Sequence, residues 1–395
     1  MIQAFTTSQS FIKEKNGKES VSMRETRKFM TIYKFIIKDF IRKKELSEKF
    51  NIAMADLNKS IVFEDNYSFY LDKDELLGQK YSIATAIYIC FYIRLSSDND
   101  KNNFKNEMNK ILLIDFLFYP TQLQDELIKN LNLEKGIAPN DSLRLNLFIC
   151  FIGIMTRIAV FLVGPPGCSK TLCFNMLKKE MKGYHSKSNF WKEYPQLIVT
   201  SYQGSLTSTP KGIIDTFKDA EKKLKDYIKN KNNKNIKEKK ENNIDRIDKG
   251  IIVCVFIDEI GLCEISPSNP LKVLHTYLEI DYKNQNNEEK LAFVGISNWV
   301  LDAAKMNRGI YLNVINPISD YRQMKETAFQ ITKIYDKEFH IKYSTLLEKL
   351  TSSIFNYNQY LKTVDAEAIN FHGARDFYNL IKTFTKKLLS NKDKE

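Results

Sequence analysis

Residues 161–179 read FLVGPPGCSKTLCFNMLKK: an apolar strand, a Gly/Pro turn and a helix, in the order a phosphate cradle requires. The spacing G-x-x-x-x-G-K-[ST] is met at Gly164, Lys170 and Thr171, with Ser169 standing where the second glycine belongs. The candidate phosphate-binding residues are therefore Gly164, Pro165, Pro166, Gly167, Cys168, Ser169, Lys170 and Thr171. Backbone N–H groups of such a loop, and of the helix start behind it, would face a β-phosphate. Lys170 would bridge β- and γ-phosphates as a point charge, and the Thr171 hydroxyl suits Mg²⁺. Serine resists positive φ where glycine does not, so Ser169 is expected to lower affinity without abolishing it. The plainer alternative is a Gly/Pro turn ahead of an ordinary helix.

A second cluster lies downstream. IIVCVFIDE (251–259) is an unbroken apolar run of the kind buried on both faces of a sheet, and it ends in two acids. At the carboxyl end of a parallel strand, Asp258 would hold Mg²⁺ and Glu259 would polarise an attacking water. LAFVGISNW (291–299) is another apolar strand; Asn298 at its end would bond a γ-phosphate or orient the water. Ser-Asn also ends many strands simply because both residues favour turns. Arg308 in LDAAKMNRG (301–309) is placed to reach a neighbouring subunit's nucleotide, with Lys305 a weaker candidate of the same kind; a structural arginine is the alternative. Arg375 in FHGARDFYNL (371–380) starts a helix and would reach back to the γ-phosphate across a cleft; His372 receives no role.

These residues need a sheet to hold them. Strand candidates at 158–163, 196–200, 251–257 and 291–296 alternate with helical stretches, which argues for a mostly parallel α/β sheet flanked by helices. Asn140 or Asp141 caps a helix that begins in GIAPNDSLRLNLF (136–148). After Pro317 the chain turns helical to the end, which makes an all-α lid subdomain. Upstream, 81–95 reads as a buried helix, 99–109 as a polar break, and 111–131 as helical but interrupted near Pro120; 24–50 shows weak helical periodicity. The expected organisation is an N-terminal region of unassigned role (1–79), a helical region (80–135), an α/β core (136–318) and a helical lid (319–390).

Composition removes several classes. With 43% apolar residues, the 395-residue chain can build a packed core, so wholesale disorder is excluded. The six cysteines contain no C-x-x-C and the four histidines do not cluster with them, which argues against a disulfide framework or zinc finger and for reduced thiols in the cytoplasm. The first 20 residues lack the apolar segment of a secretory leader. The longest apolar tract, 147–163, contains Arg157 and is short for a membrane span; it reads as a buried helix followed by a buried strand. The net charge of +12 invites a nucleic-acid partner, but residues 222–249 hold eleven Lys/Arg against five Asp/Glu, which is half the excess in one stretch. That Asn/Lys-rich stretch reads as a solvated insertion loop, which argues against nucleic acid.

Phosphate loop, acidic strand, polar strand end, trailing arginine and lid arginine follow one another on one chain, and that order resembles the AAA+ P-loop ATPases. GIAPNDSLRLNLF, FLVGPPGCSKTL, SYQGSLTSTPKGIIDTF, FIDEIGLCEISPSNPLKVLHTYLE and VGISNWVLDAAKMNRGIYL are similar to the AAA+ core of the mysterin family, giant RING-type ubiquitin ligases with a dynein-like motor ring. The likeness covers residues 80–385, and that family's own loop also carries serine at the Ser169 position. It implies nucleotide roles for Lys170, Thr171, Asp258, Glu259, Asn298 and Arg375, ATP and Mg²⁺ as ligands, and other AAA+ modules or self-association as partners; Arg308 stands in the family's NRG sequence. Family members are many times longer and carry several AAA+ modules, a RING and other zinc-binding elements, whereas this sequence has one nucleotide motif and no Cys/His cluster. Ubiquitin transfer is therefore not carried over. The expected activity is ATP hydrolysis coupled to conformational change or assembly. The alternatives are a nucleotide-binding scaffold with little turnover and a basic AAA+ protein acting on nucleic acid.

Overall fold

Apolar runs with no polar face have one stable place in an α/β protein, the middle of a sheet covered on both sides. Five such strands, β1 (Val160–Val163), β2 (Gln196–Gln203), β3 (Ile251–Asp258), β4 (Ala292–Ser297) and β5 (Ile310–Asn313), pair in parallel in the order β2-β3-β4-β1-β5. β1 and β4 are buried along their whole length. The computed structural model describes residues 1–17, 21–56, 75–238, 249–279, 289–364 and 373–392.

Among the described residues the helices longer than one turn are, in chain order, α1 (Ile2–Asn16), α2 (Met23–Asp56), α3 (Glu75–Cys90), α4 (Asp98–Leu112), α5 (Phe118–Lys129), α6 (Asp141–Thr156), α7 (Lys170–Glu180), α8 (Pro210–Glu238), α9 (Ile260–Ile265), α10 (Tyr321–Thr332), α11 (Ser344–Val364) and α12 (Ala374–Lys392). Side chains alternate across the sheet with a period of two. Val160, Leu162, Cys254, Phe256, Val294 and Ile296 face α6 and α7, where Phe174 stacks on Phe256 at 4.0 Å between ring centroids. Phe161, Val163, Val253, Val255 and Phe293 face Ile213, Phe217, Ala220 and Leu224 of α8. The N-terminal helices α1–α5 extend the first of these cores. The lid has its own small core, built from Met324, Ala328 and Ile331 of α10 with Phe377 and Ile381 of α12.

Two expectations fail for identifiable reasons. The polar break at 99–109 is the body of α4: Ser97 accepts a bond from the Asp100 N–H as N-cap, and Phe104, Met108 and Leu112 are buried at intervals of four. Three apolar residues suffice because the helix needs only one narrow stripe. The Lys/Asn-rich stretch is not a loop over 222–238, where it continues α8; 239–248 lie outside the described residues. β5, of four residues, is a fifth strand beyond the four candidates in the sequence. The interruption expected near Pro120 is found at 113–117, between α4 and α5, and Pro120 itself sits in the first turn of α5, where its missing N–H has no helical partner to lose. Among the described residues no helix is long and apolar enough to cross a membrane.

Candidate functional site

The loop from Gly164 to Ser169 leaves the carboxyl end of β1 and runs straight into α7. Two backbone constraints shape it. A Cβ added at Gly164 would lie 2.9 Å from Val314 Cβ and 3.1 Å from its carbonyl oxygen, so glycine is required by close approach. Gly167 and Ser169 both have positive φ, +88° and +59°. The serine therefore occupies the left-handed conformation expected of the glycine it replaces, at a cost of about 1–2 kcal/mol.

Groups outside the motif prop the loop. The Cys168 carbonyl accepts from Asn146 Nδ2 (2.8 Å) and Ser142 Oγ (3.3 Å), both on α6 and both buried. The Cys168 side chain is itself buried, which pushes its thiol up to about 11 and leaves it a packing group. From the lid, the Tyr378 hydroxyl donates to the Gly167 carbonyl at 3.0 Å. Ala374 and Arg375, at the start of α12, lie so close that a Cβ at Gly167 would meet Ala374 Cβ at 3.0 Å and Arg375 N at 3.2 Å.

Lys170 is the hub. Only 5% exposed, its Nζ donates to the carbonyls of Gly164 (2.5 Å) and Pro165 (2.8 Å) and to Asn298 Oδ1 (3.1 Å). Burial holds its ammonium below the ordinary lysine range, with the carboxylates of Glu259 and Asp258 pulling the other way and Arg375 adding to the depression. Asn298 carries the connection onward, since its Nδ2 donates to both Glu259 carboxylate oxygens, at 3.0 and 2.8 Å. Thr171 Oγ1 lies 3.4 Å from Asp258 Oδ2, while Asp258 Oδ1 accepts the Glu259 N–H at 3.0 Å. Glu259 itself has φ +52°, a conformation that costs a non-glycine residue and recurs at functional sites.

These side chains fit a metal-bound nucleoside triphosphate. The course of the loop depends on glycine at 164 and 167, where a Cβ would press on Val314 and on Ala374 and Arg375. Among the described residues, the buried Lys170 ammonium has only neutral oxygens within hydrogen-bonding distance. A hydroxyl and a carboxylate, Thr171 and Asp258, stand side by side as hard oxygen ligands of the kind Mg²⁺ takes.

Arg308 does not join them. The strands run parallel and Ile310 is level with Val160, so Arg308 lies at the amino end of the strands, opposite the carboxyl end from which the loop after Val163 leaves. Its guanidinium meets His275 Nδ1 at 3.0 Å, the His275 carbonyl at 3.3 Å and Glu279 at 3.4 Å. Lys305 is likewise engaged elsewhere, with Glu264 at 2.6 Å. His372 lies outside the described residues. Ser142, Asn146 and Tyr378 were not read from the sequence. An Asn or Ser inside an apolar helix is their only local signal, and only for the first two.

One further contact ties the region before α6 to the lid. Asn140 caps α6 by accepting from the Leu143 N–H and donates through Nδ2 to Thr327 of α10 at 3.2 Å, while Asp141 pairs with Arg322 at 2.9 Å. The start of α6 is thus held against α10 of the lid.

Residues 136–320 match the family described as the RNF213 AAA domain. The chain is 37% identical over 262 residues to the E3 ubiquitin-protein ligase rnf213-beta of Danio rerio, covering 66% of this chain and 5% of that protein. It is 28% identical over 402 aligned positions to the E3 ubiquitin-protein ligase RNF213 of Homo sapiens, covering 96% of this chain and 7% of that protein. The chain thus spans 5–7% of the length of these relatives. Among solved structures, C. elegans PCH-2 aligns with 69% of this chain and 71% of its own at 18% identity and a TM-score of 0.27.

Proposed function

This chain carries an AAA core of the mysterin (RNF213) type, and on that premise we propose that it binds ATP with Mg²⁺ between residues 164–171 and 258–259 and hydrolyses it. One observation carries the reading: Thr171 and Asp258, 87 residues apart in the chain, bring hydroxyl and carboxylate within 3.4 Å at the mouth of the loop. The loop N–H groups and Lys170 hold the β- and γ-phosphates. Thr171 and Asp258 would hold Mg²⁺, which would supply positive charge to offset the negative charge that develops on the phosphates. Glu259 takes a proton from the attacking water as its oxygen bonds to the γ-phosphorus and the bond to the β-phosphate oxygen breaks. Asn298, which spans Lys170 and Glu259, links the phosphate contact to the base and leaves each carboxylate oxygen a second lone pair to accept from the water. Arg375 and Tyr378 report the nucleotide to the lid through the Gly167 turn. Arg308, facing away from its own site, serves the site of a neighbouring AAA+ module or a second copy.

A second reading has specific support. Both Glu259 oxygens are tied to Asn298, so a chain by itself would retain ATP as a scaffold and turn it over little. ATPase rate per chain and particle mass, measured together across protein concentration with and without Mg²⁺, separate the two. The proposal expects a rate that rises with assembly, and a drop of about tenfold in the assembled state for Arg308→Ala, equivalent to about 1.4 kcal/mol of transition-state stabilisation. A background rate in every assembly state, with ATP retained, would establish the scaffold. The ligase activity in the relatives' names is not carried over to this chain.

A further inference from the structure

The N-terminal helices received no role from the sequence. One of their side chains nevertheless reaches the turn that carries Arg308. Lys28, on the second turn of α2, is 6% exposed, and its Nζ donates to the Gly309 carbonyl at 2.9 Å and lies 3.5 Å from the Asn307 carbonyl. These two carbonyls flank Arg308. The third partner of the ammonium is Glu25, at 3.0 Å and 2% exposed. Glu25 is itself fixed by the Ser22 N–H and hydroxyl, at 2.8 and 2.9 Å, with Arg94 at 3.8 Å.

The opposite side of the same turn has no slack. The Ile310 N–H donates to the Ala159 carbonyl at 2.7 Å, and a Cβ at Gly309 would come within 2.3 Å of that oxygen. The backbone on either side of Arg308 is therefore pinned between the start of β1 and Lys28. A buried ion pair, Lys28 with Glu25, is a costly way to gain stability even with two backbone carbonyls completing the ammonium's partners, because both charges lose most of their hydration there. What it does supply is position. The same helix sets Arg24 and Arg27 around a cavity of ≈ 450 Å³ shared with Arg308 and Glu279.

We propose that Lys28 is a positioning residue for Arg308, and that the N-terminal helical region serves as the scaffold that holds this arginine toward the neighbouring nucleotide. The inference rests on the reading of Arg308 as acting on another site, and its test is built to tell the two apart. In mixed assemblies, an acceptor chain with Arg308→Ala keeps its nucleotide site but offers no arginine, and a donor with Glu259→Gln offers the arginine but lacks the base. Lys28→Met is then placed in one partner at a time. Activity should fall severalfold, up to the roughly tenfold loss expected of Arg308→Ala, when Lys28→Met is in the donor and stay at the control value when it is in the acceptor. In the Lys28→Met chain alone, amide hydrogen exchange should quicken at 303–311 and stay unchanged at 170–180. Equal loss in donor and acceptor, or unchanged exchange at 303–311, overturns the proposal. If Arg308→Ala alone retains the full parent rate, it is the role of Arg308 that fails, and the exchange result decides whether Lys28 holds the turn. Should Lys28→Met not fold, Lys28→Met/Glu25→Gln strands no buried carboxylate and is expected to show the same donor-restricted loss.

Discussion

Glu259→Gln is expected to stop turnover while leaving ATP bound. The amide keeps the size and hydrogen-bonding reach of the carboxylate, so the contact with Asn298 survives after the amide rotates. It cannot take a proton from water. A positioned general base contributes about 10²–10⁴-fold, and that is the expected fall in the rate of phosphate release. ATP affinity should change by less than about 0.7 kcal/mol, roughly threefold, because Glu259 touches none of the loop N–H groups assigned to the phosphates. Phosphate release and equilibrium binding, measured on the same preparation, test both halves. A variant that hydrolyses as fast as the parent would remove Glu259 from the role of base.

Lys170→Met is expected to do the opposite and remove binding. Methionine retains the apolar stem that packs beneath the loop but has no charge and no donors. Lys170 Nζ now rests on two loop carbonyls and Asn298, partners that are neutral. Burial depresses its pKa, so the ammonium is poorly compensated until an anion arrives. A triphosphate supplies the missing counter-charge, which makes this contact worth more than a surface pair. Truncating one side of a buried, hydrogen-bonded charge pair costs about 2–5 kcal/mol, so ATP affinity should fall about a hundredfold or more. The fold should survive, since the substitution removes a buried cation and leaves no buried charge stranded. Thermal unfolding with and without ATP reads both effects: a melting temperature near that of the parent without ligand, and no upward shift when ATP and Mg²⁺ are added. A parent-like shift would mean that Lys170 does not carry the phosphate.

The site's local parts were legible and its long-range parts were not. A glycine turn between strand and helix is written in consecutive residues, so 161–179 and 251–259 declared themselves. The positive φ at Ser169 followed from one missing glycine. Asn298 was legible as a polar strand end, but its bridge from Lys170 to Glu259 depends on the adjacency of β4 and β1, which no stretch of sequence records. The same holds for Tyr378 on Gly167 and for Lys28 on Gly309, separated by 211 and 281 residues. Where the reading of the fold went wrong, composition had outweighed periodicity. α4 is polar apart from a single stripe, and the start of the Lys-rich tract in α8 carries Leu224 in step with Ile213, Phe217 and Ala220.

Amide hydrogen exchange of the parent chain, with and without a slowly hydrolysed ATP analogue and Mg²⁺, tests the central claim most directly. We expect slowed exchange at the N–H groups of residues 167–171 and at 258–259, with the start of α12 following as the lid settles on Gly167. Unchanged exchange over 167–171 under saturating ligand, or protection confined to another part of the chain, would contradict the assignment of the triphosphate to this loop.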